Sequence, residues 1–282
     1  MAPSVLVIAD DYALSAGVTA AILDLGRRRR LSGTGAMVPS PRWRHDAAGL
    51  RDMPDGFQTG LHLTLTGSLM PLGPMPVLCP DGRFPALGRW LLLSHAGRLH
   101  APAMQAELAA EIDRQLDGFE AAMGRPPHFV DGHQHVHLLP GIRPLVLAAV
   151  ARRYPAGGVW VRDCHEGAGR IVARGVAAGK ALFIAALARG MAEDARTAGL
   201  TVNRGFSGIH GFRGDFPRLL PRFLARMGDG GLLMVHPALP DDELATLDPV
   251  VGARQVEMAC LTGPQWPAAL QRAGLDLRFG PP

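Results

Sequence analysis

Residues 129–139 read FVDGHQHVHLL and put Asp131, His133, His135 and His137 within a few positions of one another. The run is either a polar turn at the end of a strand or a metal site, and three desolvated imidazoles without partners would be costly, which favours the metal. Two histidines and one carboxylate suit a borderline divalent cation such as Zn, Co, Mn or Fe, with remaining positions open to water. Not all three histidines need bind it: His135 and His137 could line a pocket or support the ligands. A second carboxylate, unliganded, could take the proton of an attacking water. The adjacent pair Asp10-Asp11 offers one carboxylate for each task. His62, Arg162-Asp163 and His236 are further polar outliers in apolar surroundings.

A parallel β/α fold would gather these residues. SVLVIA (4–9) is a short, β-branched apolar run and reads as a buried parallel strand ending at Asp10-Asp11. Ser15 caps a helix beginning AGVTAAIL, with Val18, Ile22 and Leu25 on one stripe. Strands are expected at 33–38 and 58–66, the second turning His62, Thr64 and Thr66 to one side. From Gly67 to about Pro102 periodicity breaks, giving a Pro/Gly-rich excursion and not a second domain; loops this long are usually functional or disordered. A helix with Leu108, Ile112, Leu116, Phe119 and Met123 follows, and then the strand leading to Asp131. The alternation continues through helical RPLVLAAVARR, the strand GGVWVRD, a long helix from Lys180, and the strand GGLLMVHP. Such alternation implies right-handed crossovers and a parallel sheet. About seven units favour a deformed, TIM-barrel-like (β/α) barrel forming a single domain over residues 1–282. Ligands in such folds bind at the carboxyl ends of the strands, where Asp10, Asp11, Asp131, His133, Arg162 and His236 fall.

Composition narrows the function classes. The 48% hydrophobic and 19% charged shares are ordinary for a globular protein with a large core. The formal charge of +4 comes from scattered arginines, and Lys180 is the only lysine. The one dense run, Arg27–Arg30, falls where the first helix should end and offsets its dipole, so no nucleic-acid partner is expected. Cys79, Cys164 and Cys260 are widely spaced, which argues against a disulfide framework and fits a reducing cytoplasm. Neither a signal peptide nor a bilayer-spanning run is expected. P-loop and GxGxxG motifs are absent, so nucleotide folds lose support.

Taken in order and spacing, ADDYALSAGVTAAIL, GLHLTLT, VDGHQHVHLLPGI and GLLMVHPA resemble the YdjC/ChbG carbohydrate deacetylases. NRGFSGIHGF and PDDELATLDPVVGAR look closer to the hopanoid-biosynthesis-associated HpnK branch. The resemblance spans nearly the whole chain. It implies one divalent metal ion, Zn first with Mg, Mn or Co as alternatives. It also implies hydrolysis of the N-acetyl group of an amino sugar, either a chito-oligosaccharide or an N-acetylglucosaminyl lipid. By the same resemblance the metal ligands are Asp11, His62 and His133, and the base is Asp10. His236 matches the general acid and Arg162 an arginine that orients the base. Gly132 stands where the family commonly has serine, and Pro39 where asparagine is expected. Tyr12, Trp43, Trp90 and Phe212 are candidate sugar platforms. Trp90 and Leu91–Leu93 would suit a lipid-linked substrate at a membrane surface, or equally a homodimer contact. The rival readings are a metal hydrolase of another amide or ester bond, and a non-catalytic sugar- or metal-binding barrel.

Overall fold

The computed structural model describes residues 2–213 and 215–282. Nine strands form one sheet: β1 (Ser4–Tyr12), β2 (Gly33–Ala36), β3 (Gln58–Leu63), β4 (Phe129–Gly132), β5 (Trp160–Val161), β6 (Thr201–Val202), β7 (Phe206–Ser207), β8 (Gly231–Val235) and β9 (Asp276–Leu277). Every pairing is parallel, in the order β6-β5-β4-β3-β2-β1-β8-β7, with β9 on the lower part of β1. Strands pair with β1 on both edges, and its side chains are buried on both faces, as in other parallel sheets.

The two ends of this order lie three residues apart in the chain. Thr201 pairs with Trp160 and Phe206 pairs with Leu232, so the segment 201–207 borders β5 at its start and β8 at its end. Asn203 stitches the join: its Oδ1 accepts from the Asp163 N–H at 2.8 Å and its Nδ2 donates to the carbonyls of Asp163 and Gly205. With β6 and β7 counted as one stave and β9 as an appendage, the sheet curls into the expected seven-stave deformed barrel.

Helices cover the outside, each short amphipathic stripe laid against the sheet. Ser15 accepts from Val18 N–H to start the helix Ala16–Arg27, as its sequence implies. The excursion after Gly67 holds more structure than its prolines suggest, including the helix Leu87–His95. Trp90 of that helix is fully buried and donates its indole N–H to the Leu65 carbonyl at 2.7 Å, pinning the helix over the end of β3. The long helix expected from Lys180 is broken at Gly190, where φ is +81°, into Ala178–Leu187 and Met191–Thr197. The cysteines are all free and buried. No helix among the described residues is long and apolar enough to cross a membrane.

Candidate active site

The site lies at the carboxyl ends of β1, β3, β4, β5 and β8. A regular strand would point consecutive side chains to opposite faces. At the end of β1 the register against β2 shifts between Ala9 and Tyr12, and Asp11 takes a left-handed conformation with φ of +70°. This break turns both Asp10 and Asp11 toward the mouth, where both line one cavity of about 350 Å³. His62 comes from β3, directly beside Asp131 of β4 in the strand register. Gly35 of β2 gives that pair room: a Cβ there would stand 3.1 Å from the His62 ring and 3.2 Å from Asp131 Oδ1. After β4 the chain turns sharply through Gln134 and Gln134's neighbour His135, with φ of +52° and +61°, which leaves His133 on the rim.

Asp11 Oδ1 is the meeting point. It lies 2.9 Å from His133 Nδ1 and 3.3 Å from His62 Nε2. Its other oxygen accepts from Arg254 Nη2 at 2.6 Å. Burial opposes ionisation of Asp11, but Arg254, His133 and His62 outweigh it and hold the carboxyl well below the ordinary range. His62 donates from Nδ1 to Asp131 Oδ1 at 2.6 Å. Burial resists charging of that ring too, yet Asp131, Asp10 and the bond to Asp11 push its pKa up to about 10. Three carboxylates thus demand positive charge on or beside His62: a proton on Nε2, or a cation in its place. Donor atoms of Asp11, His62 and His133 all lie within 4.8 Å of one another, a carboxylate–imidazole set that fits a divalent ion. Asp10, His62 and Asp131 also cluster, but Arg162 occupies both carboxylates there.

Asp10 stands apart from the Asp11 cluster. Arg162 grips it through two bonds of 2.8 and 2.7 Å, and the same guanidinium reaches Asp131 Oδ2 at 2.5 Å. Arg162 is completely buried, and a buried charge persists only when paired in this way. His236 Nε2 faces Asp10 Oδ2 at 3.9 Å. Burial drives the His236 pKa down to about 3 despite the pull of Asp11 and Asp10, so its ring is uncharged at neutral pH. An acid role therefore requires His236 to receive its proton during the reaction.

Of the other rim histidines, His135 lines the cavity, whereas His137 is buried below it and donates to the Arg162 carbonyl at 3.0 Å. Gly132 explains itself sterically: a Cβ would come 2.9 Å from His137 N and 3.0 Å from its Nδ1. Among the candidate platforms, Tyr12, Trp43 and Trp90 belong to the core and Phe212 alone lines the cavity. Leu93 is likewise buried, so of the Trp90–Leu93 run only Leu91 and Leu92 remain toward the mouth or solvent.

Three residues to which the sequence assigns no role of their own support the site. Asp131, in the histidine run at the end of β4, anchors both His62 and Arg162. Arg254 and Glu257 come from the helix Gly252–Thr262, where the i, i+3 spacing of RQVE was the available signal. Glu257 is fully buried and accepts from His236 N–H at 2.5 Å and from His210 Nε2 at 2.9 Å.

The fold and site define a parallel β/α barrel with an Asp-His-His cluster and a separately clamped aspartate at its mouth. The family model described as YdjC-like protein matches residues 4–272, and the chain belongs to that family. It is 31% identical over 273 residues to a chitooligosaccharide deacetylase of Yersinia pestis (strain Pestoides F), covering 96% of each chain. A chitooligosaccharide deacetylase of Enterobacter sp. (strain 638) is 38% identical over 149 residues, 52% of this chain and 56% of that protein. The fold resembles that of a solved protein from Enterococcus faecalis V583, described as a candidate cellobiose-phosphate cleavage protein. That likeness has a TM-score of 0.72 at 18% identity and covers 99% of this chain and 97% of the other.

Proposed function

We propose that this protein is a metal-dependent N-deacetylase of an acetylated amino sugar. The observation that carries the reading is Asp11 Oδ1 facing two imidazole nitrogens, with Asp10 held beside it by a different set of bonds. Asp11, His62 and His133 would hold one divalent cation, zinc being the best match to the donors and Mg, Mn or Co the alternatives. When bound, the cation supplies Lewis acidity to the amide carbonyl and to the attacking water.

The chain's own residues do the rest. Asp10 is oriented by Arg162 and takes the proton of the water that attacks the amide carbon. His236, uncharged at rest, accepts that proton from the same small volume and passes it to the departing nitrogen. The C–N bond breaks, acetate leaves, and the sugar retains a free amine.

The cavity supports a finer reading. Beside the catalytic candidates the cavity has an apolar wall that includes Leu87, Leu91, Phe183, Ile184 and Leu187. A free chito-oligosaccharide would leave that wall unmatched, whereas the aglycone of an N-acetylglucosaminyl lipid would cover it. Together with the motifs that resemble the HpnK branch, this favours an N-acetylglucosaminyl lipid, such as a hopanoid glycoside, as the substrate. The test is acetate release by the cation-loaded protein from N-acetylglucosaminyl lipids against chito-oligosaccharides. Faster turnover of the lipid supports the finer reading, and release from neither removes the deacetylase.

A further inference from the structure

We propose that the rim of the cavity mouth is a docking surface for an anionic lipid bilayer. The proposal deepens the reading of a lipid-carried substrate and rests on it for its purpose. It rests on a separate set of residues for its physics.

Two helices border the mouth, Leu87–His95 and Ala178–Leu187. Each sends apolar side chains inward to the cavity, Leu87 and Leu91 from one and Phe183, Ile184 and Leu187 from the other. Each also leaves large apolar side chains facing water: Leu92 is 69% exposed, Phe183 44% and Leu182 38%. Single exposed leucines need no explanation. These are continuous with an apolar cavity wall; the two rim helices carry Arg89 and Lys180 and no acidic residue, and Asp248, which also lines the cavity, is paired with Arg254.

Between Asp81 and Glu107 the sequence has no acidic residue, and none lies between Glu166 and Glu193. Those two acid-free stretches contain the two rim helices. Arg170 and Arg174 are spoken for by Glu166, at 3.5 and 2.7 Å. Arg83, Arg89, Arg98, Lys180 and Arg189 are exposed and have no ion-pair partner among the described residues. Lys180, the sole lysine, extends over the Phe212 ring at the cavity wall. A protein partner would be expected to meet some acidic groups on such a rim. Exposed leucine and phenylalanine amid unopposed cations match instead the chemistry of an anionic headgroup layer above hydrocarbon. Docked this way, the mouth opens onto the membrane and a lipid-anchored sugar reaches the site without its aglycone crossing water.

The test is cosedimentation of the full chain with phosphatidylcholine vesicles, with and without phosphatidylglycerol, in the absence of substrate. Each cation near an anionic surface strengthens binding several-fold, so the anionic vesicles should bind roughly tenfold tighter or better, with the gain lost at high salt. The double variant Leu92→Asp/Leu182→Asp lies outside the cavity lining. It should lose about tenfold or more of that binding while keeping its melting temperature and its turnover of a water-soluble acetylated sugar. Equal binding to neutral and anionic vesicles, or unchanged binding by the variant, overturns the proposal. So does a concentration-dependent dimer that the variant dissociates, since a second copy would then own the rim. Vesicle binding by a protein that deacetylates nothing upholds the docking surface and removes only the enzymatic reading.

Discussion

Arg254 Nη2 lies 2.6 Å from Asp11 Oδ2, and the other oxygen of the same carboxylate faces His62 and His133. One aspartate is thereby divided: an arginine fixes its orientation while a single oxygen is offered to the imidazole pair. Asp248 accepts from the same Arg254 nitrogen at 2.9 Å, so the guanidinium is itself held in place. Arg254→Ala should lower turnover about 10–100-fold, the usual cost of losing a residue that orients a ligand. Arg254→Lys should recover part of it, and KM should move less than kcat. Full activity in Arg254→Ala would show that the arginine serves only packing.

Asp10 and Asp11 are chain neighbours to which we assign separable roles. Asp10→Asn should reduce acetate release roughly 10²–10⁴-fold, the range expected for loss of a general base. The cation content of that variant should stay at the wild-type level. Asp11→Asn should lose cation and activity together. Metal analysis of both purified variants beside their turnover decides it, and cation loss in Asp10→Asn would reverse the assignment.

His62 predicts how cation binding depends on pH. Its pKa of about 10 means that the ring carries a second proton at neutral pH when no cation balances Asp131 and Asp11. A cation on Nε2 must displace that proton, while the Nδ1 hydrogen stays on Asp131. Apparent affinity should therefore rise close to tenfold for each pH unit between neutrality and about 10. Calorimetry in buffers of different ionisation enthalpy should show about one proton released per cation. Binding without proton release would place the cation elsewhere.

Gly35 is a steric test of the same geometry. A methyl group there meets the His62 ring and the Asp131 carboxylate at 3.1–3.2 Å, and neither can retreat without breaking its bond. Gly35→Ala should cost about 1–3 kcal/mol of stability, as overpacking does. Cation affinity should fall with it. A melting temperature and affinity like those of the wild type would mean the His62–Asp131 pair is softer than its bonds imply.

Away from the site, His128 should make stability depend on mild acid. Burial, helped by Arg125, pulls its pKa to about 4, and Nδ1 accepts the Thr59 N–H at 2.9 Å. The unfolded chain binds this proton near pH 6.5. Its contribution is thus present above about 6.5 and is lost as pH falls toward about 4. Thermal melts across that window should show a shallower decline in His128→Gln than in the wild type. Parallel declines would assign the acid sensitivity to other groups.

The barrel and the gathering of its polar rim were legible because both follow from local pattern. Short apolar runs ending abruptly in Asp10-Asp11, Asp131 and His236 are strands whose carboxyl ends carry chemistry. What stayed hidden depends on contacts distant in sequence. Arg254 meets Asp11 across 243 positions, and an arginine at helical spacing reads as a solvated face until its partner is seen. Trp43 and Trp90 looked like sugar platforms, but their indole N–H groups found the Gly118 and Leu65 carbonyls and let the rings sink into the core. The left-handed turn at Asp11 could not be read from its residue type, although the site depends on it.

We propose that one divalent cation, shared by Asp11, His62 and His133, is required for removal of an acetyl group from an amino sugar. The most direct measurement is acetate release from an N-acetylglucosaminyl lipid after chelation and after titration with Zn²⁺. The stripped protein should show no turnover, and one equivalent per chain should restore it fully. Undiminished acetate release from protein shown to hold no cation would contradict it.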